Sequence, residues 1–177
     1  MTREPATGLV VVLTGDGKGK TTGALGMALR ALGHGGRVAV VQFMKARPAG
    51  EHEAAERLAP DLEIHRAGEG FCRPGEETDP RHRRAAQEAL ALVARLLGDG
   101  KHAMVVADEV FEAVKARLLE ADDVAALIAD RPAHVHLVLT GREAPASIVA
   151  QADLVTEMRA VKHPHERGLP AQPGIEF

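Results

Sequence analysis

The sequence predicts an α/β protein, one domain with a mainly parallel sheet of about six strands and helices on both faces. Three observations carry this. Apolar, β-branched runs recur along the chain, most of them are continuous rather than alternating, and segments of helical spacing separate them. A strand that is apolar at every position is covered on both sides, as happens when parallel strands are joined by helical crossovers. The 177 residues fit a single domain spanning 1–177, large enough to bury a core without disulfides or structural metal.

Taken in order, strands are expected at residues 9–13, 37–43, 62–65, 103–107, 135–140 and 154–158. Helices are expected at 20–32, 51–58, 80–97, 112–118, 122–130 and 145–150. The first is amphipathic and ends on Gly33, a residue type that commonly closes helices. The stripe Ala85, Ala89, Leu92 and Leu96 in the third has the spacing of a buried face. Two segments fit neither pattern: 67–79, with Gly68, Gly70, Pro74 and Gly75, and the tail 160–177, with three prolines. Both read as ordered loops. In an open parallel sheet such loops gather beyond the carboxyl ends of the strands, where ligands sit, so they are expected to frame the site.

Composition excludes several partners. The net charge is −3 and the only aromatic residues are Phe43, Phe71, Phe111 and Phe177, so neither a basic footprint nor a base-stacking platform for nucleic acid is present. Cys72 stands alone, no leader pattern precedes the first strand, and no apolar run reaches membrane-spanning length. A cytoplasmic protein without membrane contact is the expectation.

The most informative stretch is residues 8–22, where an apolar strand runs into Thr14-Gly-Asp-Gly-Lys-Gly-Lys-Thr-Thr22 and then into a helix. Gly15, Gly17 and Gly19 let successive N–H groups converge, and Lys20 with the helix N-terminus adds positive potential, which is what a polyphosphate needs. The stretch matches the P-loop pattern except at its first glycine position, which holds Thr14. Gly15, Asp16, Gly17, Lys18, Gly19, Lys20, Thr21 and Thr22 are therefore candidate ATP-binding residues of a P-loop NTPase-like domain.

Residues 104–109 form an apolar strand that ends in Asp108 and Glu109. Beside a phosphate loop, that is where carboxylates reach Mg²⁺, with the Thr21 hydroxyl as a direct ligand. Glu109 either binds the ion or orders water. Arg142 ends another strand at the same sheet edge, where its guanidinium either grips phosphate oxygens or pairs with a surface acid. Gln42 and Lys45, after the second strand, either reach the ligand or are solvated. The pairs His134/His136 and His163/His165 lack a third ligand at helpful spacing and read as plain polar residues, and Cys72 carries no local nucleophile signature.

The chain resembles the P-loop ATP:corrinoid adenosyltransferases over nearly its whole length. The resemblance is carried by Thr14 to Thr22, Val40-Val-Gln-Phe-Met-Lys45, Gly68-Glu-Gly-Phe71, Asp108-Glu109, Arg131-Pro132, Leu139-Thr-Gly-Arg142, Ala152-Asp-Leu-Val-Thr-Glu-Met-Arg159, Val161-Lys-His163 and Ala171-Gln-Pro-Gly-Ile-Glu-Phe177. The last three blocks are more specific than the phosphate loop, and threonine in place of the first glycine is similar to the family pattern.

The resemblance implies that Co(I) of a corrinoid attacks C5′ of ATP and that the whole triphosphate leaves, with no protein base required. It implies a nucleotide reversed relative to ordinary P-loop enzymes, with Lys20, Thr21 and Mg²⁺ stabilising the leaving charge. Asp16 then faces ribose hydroxyls rather than phosphate. Phe71 and Phe111 are the implied corrinoid-side residues, and a homodimer and a flavin-dependent reductase are the implied partners. The chain departs from the family where Arg73 takes a loop tryptophan's place, where Arg47-Pro48 replaces a second tryptophan, and where Val110-Phe111 follows the two acids. A conventional NTPase or small-molecule kinase, and a non-catalytic ATP- or corrinoid-binding paralogue, are the alternatives.

Overall fold

The computed structural model describes residues 7–70 and 79–177. The elements follow in chain order as β1 (Val10–Thr14), α1 (Lys20–Gly33), β2 (Val38–Gln42), α2 (Gly50–Glu56), β3 (Leu62–Arg66), α3 (Pro80–Gly98), β4 (Met104–Asp108), α4 (Val110–Lys115), α5 (Ala121–Asp130), β5 (His136–Thr140), α6 (Ala146–Val149) and β6 (Leu154–Glu157). The strands form one six-stranded sheet in the order β3-β2-β4-β5-β1-β6, and every pairing is parallel.

The continuous apolar runs are explained by burial on both faces. Val10, Val12, Ala39, Val41, Val105, Ala107, Leu137 and Leu139 face one core, shared with residues of α3, α4, α5 and α6. Their neighbours Val11, Leu13, Val38, Val40, Met104, Val106 and Val138 face a second, smaller core under α1 and α2. Alternate side chains of a strand point to opposite faces, so only an uninterrupted apolar run satisfies both layers. The edge strands are the exceptions: β3 is buried only at Leu62, and β6 is exposed at all four positions.

Helix α1 ends on Gly33, as expected, and the left-handed turn that follows falls at Gly35, whose φ of 79° suits glycine and whose N–H bonds to the Leu32 carbonyl. Two local expectations are corrected. The buried stripe of α3 is Ala86, Ala89, Val93, Leu96 and Leu97, because the helix is rotated so that Ala85 and Leu92 lie at its margin. Helix α4 begins two residues early, at Val110, directly on the turn made by Glu109.

Parallel pairing brings every strand's carboxyl end to one edge. There the phosphate loop leaves β1, and the register sets Gln42 beside Asp108 and Leu13 beside Thr140. The topology thus collects residues distant in sequence at a single rim.

Candidate active site

Thr14 is the last residue of β1, in register with Glu157, and its hydroxyl accepts from the Ala144 N–H at 3.2 Å. The backbone first turns into the left-handed region at Gly15 (φ 93°) and again at Gly19 (φ 120°). Glycine is therefore placed where the backbone requires it, and the apparent one-residue shift of the motif is a strand that runs one residue longer. The outer wall of the loop is the chain leaving β6. Gly17 N–H bonds to the Met158 carbonyl at 2.7 Å, and a β-carbon on Gly17 would lie 2.7 Å from the Arg159 carbonyl carbon.

Lys20 opens α1 and reaches back across the loop, donating to the carbonyls of Gly15 (2.6 Å) and Gly17 (2.9 Å). Burial, with Arg142 as the next cause, holds its ammonium below the usual lysine range. Arg142 thus adds its positive field at the loop, while its backbone N–H bonds to Glu112. Asp16 and Lys18 are exposed.

Beneath the loop lies Asp108, 2% exposed. Thr21 donates to it at 2.9 Å, Thr140 at 2.7 Å and the Gln42 amide at 3.2 Å. Burial pushes this carboxyl up, against the opposing pull of those three donors. Its neighbour Glu109 has a left-handed backbone (φ 61°), uncommon for a residue with a β-carbon, and is held there by a 2.8 Å bond from its N–H to the Thr140 hydroxyl. Burial, then the adjacent Asp108, raises the Glu109 carboxyl to about 7. Its Oε2 is buried and has no hydrogen-bond partner among the described residues.

An unsatisfied buried carboxylate oxygen beside a second carboxylate and a threonine hydroxyl suits a hard, oxygen-preferring cation. Among the described residues no group of three or more His, Cys, Asp or Glu side chains has the arrangement to hold a metal. Thr21, Asp108 and Glu109 offer only oxygen donors, the chemistry that Mg²⁺ prefers.

A cleft of about 650 Å³ opens over these groups, in the range of small-molecule sites. Its polar side is Lys18 to Thr22, Lys45, Glu51 and Glu109; its apolar side is Leu25, Leu29, Leu58 and Leu62; and Gly174 to Phe177 close it. Only the last four residues of the tail line this cleft; of the other expected loop, residues 67–70 do not line it and 71–78 lie outside the described residues. Lys45 pairs with Glu51 at 2.9 Å inside the cleft.

Two expected ligand contacts are corrected. Gln42 is fully buried, with its amide spent on Asp108, Glu51 and His52, so it supports the site from below and presents nothing to a ligand. Phe111 is 1% exposed and belongs to the larger core. Starting α4 at Val110 turns it inward under Gly141, where a β-carbon would lie 2.6 Å from that of Phe111. Phe71, Cys72 and Arg73 lie outside the described residues. Thr140, Glu51 and His52 belong to the site without having been singled out from sequence. For Thr140 a signal existed, since a polar residue ending a buried strand in a P-loop protein sits at the rim.

Comparison with known proteins agrees with this geometry. The family model described as ATP:corrinoid adenosyltransferase BtuR/CobO/CobP matches residues 6–177. A corrinoid adenosyltransferase from Pseudomonas aeruginosa is 44% identical over 173 residues, covering 96% of this chain and 84% of the relative. One from Sinorhizobium sp. is 39% identical over 181 residues, covering 99% and 83%. The corrinoid adenosyltransferase CobA of Salmonella typhimurium is 37% identical over 171 residues, covering 96% and 86%.

Proposed function

The chain belongs to the ATP:corrinoid adenosyltransferase family, and we propose that it transfers the 5′-deoxyadenosyl group of ATP to Co(I) of a corrinoid, releasing triphosphate. The cobalt electron pair forms the bond to C5′ while the C5′–O bond breaks, and that bond's electrons leave on the triphosphate. The reaction needs no protein base. What it needs is a fixed acceptor for charge on the leaving group and alignment of the attack, worth many orders of magnitude when the reactants are held in line. The observation that carries the reading is the tie between loop and strand end, in which Thr21, next to Lys20, bonds directly to the buried Asp108.

In this reading Lys20 and the N–H groups of the loop take the triphosphate, with Arg142 adding positive field. Thr21, Asp108 and Glu109 are the residues that would hold Mg²⁺, whose chemistry here is to neutralise polyphosphate charge. The exposed Asp16 suits ribose hydroxyls better than phosphate, which supports the reversed nucleotide implied by the family resemblance. Phe71 stays the proposed corrinoid-side residue. The exposed β6, with Leu154 and Val155 more than 40% exposed, supports a second copy of the chain as partner. Co(I) must be supplied by a one-electron reduction, for which a flavin-dependent reductase is the class proposed. No described helix is long and apolar enough to cross a membrane; a cytoplasmic location is part of the proposal.

The test is product analysis under anaerobic conditions with ATP, Mg²⁺ and chemically reduced cobalamin. A light-sensitive cobalt–carbon product together with triphosphate is expected. ADP and phosphate would instead identify a conventional NTPase, and bound ATP without turnover a binding paralogue. With Arg73 in place of the loop tryptophan, preformed Co(I) should outperform Co(II) with reductant.

A further inference from the structure

Below the cleft, His52 stands half-buried in the first turn of α2. Its two ring nitrogens face different groups. Nδ1 lies 2.9 Å from the Ala49 nitrogen and 3.1 Å from the Ala49 carbonyl oxygen, and Nε2 lies 2.8 Å from Gln42 Oε1. The protonation pattern follows from the neighbours. Lys45 contacts Glu51 at 2.9 Å, and that hydrogen bond helps hold its carboxyl below the usual range against burial, so Glu51 only accepts. Gln42 Nε2 lies 3.3 Å from Glu51 and 3.2 Å from Asp108, so the amide must turn its NH₂ toward the two carboxylates and its oxygen toward the histidine. His52 Nε2 is therefore the donor, and Nδ1 accepts from Ala49.

We propose that His52 is a positioning residue for the metal-side carboxylate: its Nε2–H locks the Gln42 amide, and the amide holds the Asp108 oxygen that Thr21 and Thr140 do not hold as closely. Oδ1 takes the shorter contacts, Thr140 at 2.7 Å and Thr21 at 2.9 Å, while Oδ2 has Gln42 and Thr21 each at 3.2 Å. Without the histidine the buried amide oxygen loses its donor and the amide loses its anchor on that side, so its contact with the Asp108 oxygen is held less firmly. The inference rests on reading Asp108 as the Mg²⁺-side acid. It assigns His52 a role toward the cation although the ring touches neither ligand nor carboxylate.

Two substitutions separate this role from simple support of α2. His52→Asn keeps an acceptor near Nδ1 and discards the outer donor; His52→Gln keeps the outer donor and discards the inner acceptor. The readouts are ATP affinity by calorimetry with and without Mg²⁺, in the absence of corrinoid, and the melting temperature. The gain in affinity that Mg²⁺ confers should fall about tenfold in H52N, as for loss of an outer partner of a metal ligand, and stay near wild type in H52Q. H52Q should melt lower than H52N. H52N matching wild type, or H52Q losing the Mg²⁺ gain as far as H52N, overturns the proposal. A wild-type protein whose ATP affinity ignores Mg²⁺ overturns the reading of Asp108 itself, a distinct failure seen before any variant is made.

Discussion

On the floor of the cleft, the Asp108 carboxylate accepts from three side chains drawn from α1, β2 and β5, and the group is 2% exposed. On its flank, Ile175 and Phe177 are 58% and 49% exposed, and the bonds of their segment return to the tail itself, Gly174 N–H to Phe177 O and Gln172 N–H to Glu176 Oε2. The floor is fixed by the sheet, whose register admits one arrangement. The flank is held by a few local bonds and by apolar contact. A polyphosphate with its cation calls for the first kind of construction, since pre-oriented dipoles cost nothing to reorganise during reaction. A substrate with a large apolar ring is better met by the second.

The sharpest way to break this contrast is at Lys20, whose ammonium spans the loop. Lys20→Ala removes both the positive charge proposed to stabilise the leaving triphosphate and the clamp on the Gly15 and Gly17 carbonyls. Steady-state assay of triphosphate release should show kcat reduced by about 10²–10³-fold, the usual effect of losing one pre-oriented donor to developing negative charge. A loss confined to KM would place Lys20 outside the chemistry.

Glu109 tests the floor's electrostatic strain. Its carboxyl ordinarily titrates near 4.5 and is raised to about 7 here by burial and by Asp108. Between those values the folded chain holds a proton that the unfolded chain has released, so stability falls as pH rises through the window and stays lowered above it. The loss amounts to about 3 kcal/mol. Thermal melts of Glu109→Gln should lack this slope and exceed wild type above pH 7, and Mg²⁺ should stabilise wild type more at pH 8 than at pH 5. Parallel pH profiles for the two proteins would contradict the assignment.

The smallest effect belongs to the flank. Phe177→Ala should raise the KM for substrate a few-fold while leaving kcat and melting temperature near wild type, because half of the ring is already in water and its removal leaves no cavity. A large fall in kcat would mean that the tail is as tightly engaged as the floor.

The same division decides what was legible from sequence. Strands and helices follow from β-branched runs and amphipathic spacing, and the six strand positions are displaced by no more than a residue or two; for β1, β2, β4 and β5 burial on both faces leaves one way to read such runs. The loop, Lys20, Thr21, Asp108 and Glu109 share a local signature that survives folding. Misreadings arose where one backbone angle decides orientation. Phe111 looks like a ligand wall until Glu109 takes φ 61° and turns the next helix inward. Gln42 looks like a ligand contact or a solvated side chain until the register puts it beside Asp108. His52 leaves no trace, because its partner is ten positions earlier on a strand rather than on a recurring helical or hairpin spacing.

The brace of the phosphate loop against Met158 and Arg159 has a bearing on how the molecule is made. The loop is written at the start of the chain, but the peptide that shapes its outer side is added only after every other strand. During synthesis, then, a ribosome-bound chain that has all of β1 and α1 still lacks a finished nucleotide cradle. Affinity for ATP should arise late and abruptly, making nucleotide capture a timestamp for completion of the sheet.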